Sequence, residues 1–559
     1  MKITRNFVLC HYLSGFFLFL AGWFIGLSPI VLFGIPLFFY SAAILCSRKY
    51  FREIKWSFVR EKLTGLPPLP VCVIILFLIL NFLFSLLPPT EHIEADSLLY
   101  NLTIPWQYYL RGGVVPLDWS MNDKFPLYLQ MAELPFTVLT FPWAVKVWVI
   151  FSWPALLVVI WNMAELLSFQ REERAWLVAM ISALALLGKQ FGAANFDIIN
   201  TVYILSGFYY LVRASGSKKS GDIVWGAIFL GMACATKTFL VSLVLVWLFA
   251  FSIWKLFCSR SSFTKRELGL MFFPLLSAVI FMAPFLIRNA FITGNPFFPL
   301  FENWLGPVIE NRIHHEVIQH AKYGYGYGRG FFDFILMPFR MVWPFPNPIM
   351  HFDYWTDPVL LVFLSGAFFS LRRRLSGSWG LLFIVALLVY TVFFMGSQQG
   401  RYFYPFWILV ALLGGQQVFR WFGPKMRRAI LMGQSVIGVT CFLFFHRDAL
   451  AHLKYLPAGK YLEESSFSHV WNKNLEGLNV RQLCLRQGPG DSIIDIFYFT
   501  VPVKILGHTT SLLPLDERFV GDCDRFMIGM QWPHEKIHTL EGKGMLVTKE
   551  QFLNATFEK

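Results

Sequence analysis

The sequence predicts an α-helical polytopic membrane protein, and three observations predict it. Hydrophobic residues make up 56% of the 559-residue chain and charged residues only 15%, whereas soluble domains carry about 25% charge. The apolar residues form continuous runs, close to the roughly 20 residues that cross a bilayer as a helix. They do not alternate with polar positions, which excludes a transmembrane β-barrel. The net charge is +14, but Lys and Arg punctuate the ends of these runs instead of clustering on one water-facing domain. That pattern marks the cytoplasmic side of a membrane protein and argues against a nucleic-acid surface.

Thirteen spans are predicted, near 7–27, 29–46, 69–88, 143–167, 174–190, 196–212, 222–237, 239–257, 268–286, 357–371, 378–395, 403–419 and 429–445. With Lys2 and Arg5 inside, alternation places five basic segments in the cytoplasm: 47–62, the turn with Arg213, Lys218 and Lys219, the loop from Lys255 to Arg266, the run Arg372 to Arg374, and the turn from Arg420 to Arg428. Only 170–174 is neutral, with two Arg and two Glu. The protein is therefore expected in a cell (inner) membrane as a multi-pass protein with a cytoplasmic N-terminus, its first run an uncleaved anchor. Runs 222–237 and 239–257 are read as a hairpin. A single helix over both would be about 54 Å long and would strand Lys237 inside the bilayer.

Three units follow: 1–68, two helices and a basic loop; 69–445, a transmembrane core with exported loops 89–142 and 287–356; and the polar tail 446–559. The tail has strand-like runs at 478–485 and 544–552 and a turn at Gly488-Pro489-Gly490, so it is read as a small extracytoplasmic α/β domain. Its Cys484 and Cys523 form either a disulfide, permitted outside the cytoplasm, or two reduced buried thiols. The stretch 97–140, with Trp106, Tyr108, Tyr109, Trp119 and Tyr128, is suited to interfacial helices.

Ionisable residues at a membrane edge are functional candidates because placing them there is costly. On the predicted outer face these are Glu94 and Asp96 after the third span, Asp197 at the start of the sixth, Lys237 at the hairpin turn, Arg288 after the ninth and Arg401 before the twelfth. Glu94 and Asp96, two apart, suit a general base, a metal-ligand pair that Asp197 could join, or a polar collar. Guanidinium groups grip phosphate bidentately, yet Arg401 could equally anchor at the interface beside Tyr402, and Arg288 could cap its helix. Lys237 could snorkel, and Asp197 could cap the helix it begins. In the second exported loop, His314, His315 and His320 with Glu310 and Glu316 read as a zinc site or an exposed amphipathic helix. The alternating stretch Tyr323 to Gly330 reads as an aromatic lid or a flexible linker.

The stretch Asp96-Ser-Leu-Leu-Tyr100-Asn-Leu resembles the first-loop signature of the GT-C glycosyltransferases, in the branch of protein O-mannosyltransferases and lipid A aminoarabinose transferases. Three later stretches resemble the same branch: Gly231-Met-Ala-Cys-Ala-Thr-Lys237-Thr; Pro284-Phe-Leu-Ile-Arg288-Asn289 followed by Gly294-Asn295-Pro296-Phe-Phe-Pro299; and Gln398-Gln-Gly-Arg401-Tyr402-Phe-Tyr-Pro405. Together they cover roughly 90–405. Two departures stand out. Two further spans precede the acidic loop, and the acidic pair is Glu-x-Asp rather than the adjacent Asp-Glu of the mannosyltransferases, which leaves metal dependence open.

The resemblance implies inverting transfer of a sugar from a polyprenyl-phosphate donor to a hydroxyl of a lipid, glycan or protein acceptor on the extracytoplasmic face. Asp96 would be the base and Glu94 its helper, with Asp197 on acceptor or metal. Arg288, Arg401, Lys237, Tyr100, Asn289 and Tyr402 would surround the donor. A phosphate departs as a stable anion, so cations are needed and a second carboxylic acid is not, unlike in glycosidases. No cofactor is implied with certainty; a divalent cation on Glu94, Asp96 and Asp197 is the open case. Two other classes fit the composition: a transporter or lipid-linked glycan flippase, and an O-antigen ligase or polymerase resting on Arg312, His314 and Arg329.

Overall fold

The computed structural model describes residues 2–53, 65–85, 101–116, 121–138, 146–188, 190, 192–193, 195–217, 219–259, 264–298, 302–305, 325–342, 352, 356–374 and 377–446. All regular elements among them are helices: α1 (Lys2–Phe24), α2 (Pro29–Glu53), α3 (Pro68–Ser85), α4 (Thr103–Leu110), α5 (Tyr128–Val138), α6 (Val147–Leu166), α7 (Arg171–Ser182), α8 (Ala185–Gly188), α9 (Asp197–Gly216), α10 (Ser220–Cys234), α11 (Ser242–Trp254), α12 (Lys265–Thr293), α13 (Glu302–Leu305), α14 (Phe331–Val342), α15 (Val359–Arg374), α16 (Gly377–Met395), α17 (Tyr404–Trp421) and α18 (Pro424–Phe445). Each of the thirteen predicted runs carries a helix. Eight of these, α1, α2, α3, α6, α12, α16, α17 and α18, are long and apolar enough to cross a bilayer, and the other five are shorter or less apolar. The chain is a multi-pass α-helical membrane protein. The predicted α/β tail, apart from His446, lies outside the described residues, as do Cys484 and Cys523.

Burial sorts the helices into centre and rim. Only 22% of the apolar stretch of α2 and of α18 is buried, and 28% of α12, against 89% of α17. The rim helices turn Ile30, Leu37, Phe38, Phe272, Phe273 and Val436 outward, as contact with lipid requires. Helix α9 is buried along nearly its whole length and packs against α6, α10 and α16, while α10 packs on α12. Small residues allow these approaches: a Cβ on Gly231 would meet the Ser277 backbone at 2.7 Å, so α10 and α12 touch nearly backbone to backbone.

The run predicted as one span over 174–190 is broken. The chain leaves α7 at Ser182 and restarts at α8, where the Ala185 and Leu186 amides donate to the two Asp357 oxygens at 3.0 and 3.1 Å. A carboxylate distant in sequence thus satisfies helix N-terminal donors that would otherwise be orphaned. At the end of α12, Gly294 adopts a left-handed conformation (φ 74°) and its amide donates to the Ala290 carbonyl. The Asn295 side chain then accepts from the Phe297 amide at 2.9 Å, so Gly294-Asn295 acts here as a helix stop.

The polar side chains gather at two ends. At one, Arg213 Nε donates to Asp222 at 2.8 Å, Lys255 pairs with Glu267 at 2.6 Å, and Arg5 lies 3.9 Å over the Trp225 ring. Arg5, Arg213 and Lys255 come from the segments predicted to be cytoplasmic, and their partners from the helix ends beside those segments. At the other end stand Asp197, Lys237 and Arg401. Asp197 and Arg213 are sixteen residues apart on α9, about 24 Å along the helix, a separation close to the hydrocarbon thickness.

The first exported loop departs from a purely interfacial arrangement. Its short helices α4 and α5 exist, but α5 is almost wholly buried, packed on α1. Its Glu133 lies 3.9 Å from His11 of α1, whose other ring nitrogen is 3.1 Å from the Tyr40 hydroxyl of α2. Gln130 and Glu133 of α5 thus face polar side chains inside the fold, Asn101 and His11 respectively, which lets a helix expected at the surface pack within it. The second loop supplies a surface helix that was not foreseen. In α14, Phe331, Phe332, Ile335 and Phe339 are exposed while Met337 and Met341 are buried.

Candidate functional site

Helix α9 opens with Asp197, an acid in the first turn where the helix dipole favours negative charge. Asp197, Asn200, Thr201 and Ile204 follow at i, i+3, i+4 and i+7, so they share one face. That face runs from carboxylate through amide and hydroxyl to an apolar side chain. Opposite it, α10 ends at Cys234, and the turn into Thr238–Val241 brings up Lys237, whose ammonium contacts Asp197 Oδ1 at 2.5 Å. The turn Gly400–Phe403 between α16 and α17 supplies Arg401 and Tyr402. Arg401 Nε donates to Gln399 Oε1 at 2.9 Å and stands 3.7 Å from Asp197 Oδ2. Both cations border the Tyr402 ring, Lys237 at 4.5 Å and Arg401 at 5.4 Å from its centroid, a favourable cation–π geometry.

The carboxylate of Asp197 is thus engaged on both oxygens by cations, which leaves it poorly placed to take a proton or a metal. Among the described residues no group of three or more His, Cys, Asp or Glu gathers that could hold a metal ion. Two adjoining clefts share Asp197, Asn200 and Lys237 as walls. One is completed by the polar Asn101, Gln130, Asn195 and Thr236 and by the apolar Leu129 and Phe196. The other is completed by Arg401 and Tyr402 at its polar end and by Ile204, Leu240, Phe393 and Pro405.

Arg288 and Asn289 lie elsewhere. Arg288 is 1% exposed; its Nη1 donates to the Asp123 carbonyl at 2.8 Å and its Nη2 to Asp123 Oδ1 at 2.8 Å and to the Val115 carbonyl at 3.3 Å. The Tyr108 hydroxyl donates to the same carboxylate. Asn289 Nδ2 donates to the Lys124 carbonyl at 3.0 Å. Neither residue lines either cleft. Both tie the first loop to α12.

Glu94, Asp96 and Tyr100 lie outside the described residues, as do Glu310, Arg312, His314, His315, Glu316, His320 and Tyr323. The described end of the Gly-Tyr stretch is docked beside the Arg401 turn: Gln398 Nε2 donates to the Gly328 carbonyl at 2.9 Å and Arg329 to the Gly396 carbonyl at 2.8 Å. Sequence reasoning passed over Asp123, Gln130 and Asn200. Asn200 had a visible signal, its i+3 spacing from Asp197 on an otherwise apolar helix.

No family model and no curated protein matches the chain. Among solved structures it is similar to ArnT of Cupriavidus metallidurans bound to undecaprenyl phosphate, at 14% identity over 78% of this chain and 76% of that one, with a TM-score of 0.38. It is also similar to the archaeal oligosaccharyltransferase AglB of Archaeoglobus fulgidus in complex with an inhibitory peptide and a dolichol-phosphate, at 13% identity over 71% of this chain and 59% of that one, with a TM-score of 0.36. At this overlap the residues of this chain, and not the likeness, carry the functional reading.

Proposed function

We propose that this protein is a membrane-embedded inverting glycosyltransferase that moves a sugar from a polyprenyl-phosphate donor to an acceptor hydroxyl of a lipid, glycan or protein. The observation that carries the proposal is the second cleft, with two cations and an aromatic ring at one end and an apolar wall from Ile204, Leu240 and Phe393 at the other. An amphiphile with a phosphate head and an isoprenoid tail matches both ends of it. By the positive-inside rule the basic end of the bundle is cytoplasmic, which puts this cleft on the extracytoplasmic face.

In this reading Lys237 and Arg401 hold the donor phosphate, and Asp197 holds the two cations in place. Asp96, by its place in the resembling motif, takes the proton of the acceptor hydroxyl, with Glu94 and Tyr100 beside it. The acceptor oxygen forms a bond to the anomeric carbon as the bond from that carbon to the phosphate oxygen breaks. The electron pair leaves on polyprenyl phosphate. The cations stabilise the negative charge that grows there, an effect for which removing one donor typically costs about 10²–10³ in rate. Arg288 and Asn289 serve the same chemistry indirectly, by fixing the first loop.

The test is incubation of purified protein with a labelled polyprenyl-phosphate hexose and host membranes as acceptor source. Wild type is expected to release polyprenyl phosphate and label an acceptor, and Asp96→Asn to fall by about 10²–10⁴ as for loss of a general base. A carrier bond left intact while the lipid crosses the bilayer would instead make the protein a flippase.

A further inference from the structure

We infer that the amide-walled cleft beside Asp197 is the subsite for an uncharged, hydroxyl-bearing sugar, and that Asn200 determines this specificity. The inference rests on the glycosyltransferase reading above and names its sugar class. Asn200 lines both clefts, stands one helical turn from Asp197 and is 5% exposed. Its Oδ1 is buried with no hydrogen-bond partner. A buried amide oxygen left without a donor is costly, and a bound hydroxyl at the junction of the clefts would supply one.

Apart from the Asp197–Lys237 pair and the apolar Leu129 and Phe196, the rest of this wall, Asn101, Gln130, Asn195 and Thr236, is built from neutral groups that both donate and accept. Gln130 Nε2 donates to Asn101 Oδ1 at 2.9 Å, and Asn101 Nδ2 to Asn195 Oδ1 at 3.4 Å, a relay that orients three amides from α5, the first loop and the approach to α9. Sugar hydroxyls are donors and acceptors at once, as amides are. The sole carboxylate among the described residues of the wall is Asp197, already paired with Lys237. A sugar ammonium would find no unpaired carboxylate there and would face the Lys237 charge, while a uronate would compete with the donor phosphate for that same cation.

The test compares polyprenyl phosphates carrying a neutral hexose, its monodeoxy analogues, an amino sugar and a uronic acid. Wild type is expected to favour the neutral hexose, and one deoxy position to lower kcat/KM at least tenfold. In Asn200→Ala the same deoxy donor should lose nothing further, because the partner of the missing hydroxyl is already gone; Asn200→Ser, which keeps a hydrogen-bonding oxygen, should retain part of the discrimination. A wild-type preference for the amino sugar or the uronic acid overturns the inference without any variant. So does a deoxy penalty that Asn200→Ala leaves unchanged. In both cases transfer itself still occurs and the glycosyltransferase reading stands, whereas absence of transfer from every donor overturns that reading and this inference together.

Discussion

Two buried ion clusters of this molecule have the same charge count and opposite surroundings. Asp197 faces Lys237 and Arg401; Asp123 faces Arg288 and Lys124. Each sets two cations against one carboxylate, so charge arithmetic cannot separate them. What differs is where the remaining donors go. Around Asp123 the Arg288 guanidinium reaches two backbone carbonyls and Tyr108 sits on the carboxylate, and neither Asp123 nor Arg288 lines either of the two clefts beside Asp197. Around Asp197 both cations border an amphipathic cleft and share an aromatic ring. The first arrangement fastens a loop, and the second presents positive charge to a cleft.

Substitutions at the two clusters should therefore part company. Arg288→Ala removes the guanidinium from a buried carboxylate, and a loss of about 3–5 kcal/mol in stability is expected, read as a fall in unfolding temperature in detergent. An unchanged unfolding temperature would mean that the Asp123 cluster does not hold the fold. Arg401→Ala should leave unfolding nearly unchanged and lower transfer by about 10²–10³; equal losses of stability in both variants would erase the distinction. For Asp197→Asn a smaller effect is expected, about 1–3 kcal/mol, with weaker donor binding as the two cations lose their common anchor, measurable by equilibrium binding of undecaprenyl phosphate.

The smallest effect belongs to a third polar cluster, around Glu133 and His11. Burial pushes the Glu133 carboxyl well above the usual carboxylate range, so the folded state keeps a proton that the unfolded chain loses near pH 4. The folded form then binds more protons, and stability falls as pH rises between those two values. Glu133→Gln should flatten that slope in a plot of unfolding temperature against pH. Parallel curves for the two proteins would contradict the assignment.

The apolar runs were legible because a bilayer demands continuous stretches of fixed length, and each carries a helix. The break between α7 and α8 was not, since it depends on Asp357, a residue far along the chain whose carboxylate serves amides of α8. Asp197, Lys237 and Arg401 were recognisable one by one as charges at helix ends, while their convergence depends on the packing of α9, α10 and α17. Arg288 shows the converse. Its sequence context suited a phosphate ligand, and only the fold shows Asp123, from a loop read for its aromatic residues, occupying it. Asn200 fell between these cases, spaced for the cleft but neutral and so inconspicuous.

A density map of the protein with a bound isoprenoid phosphate would decide which of the two ion clusters holds the donor. The phosphate is expected within about 2.7–3.2 Å of Lys237 and Arg401, its tail along Ile204, Leu240 and Phe393, and Arg288 still on Asp123. A phosphate seated on Arg288, with the cleft beside Arg401 left to solvent, would contradict that placement.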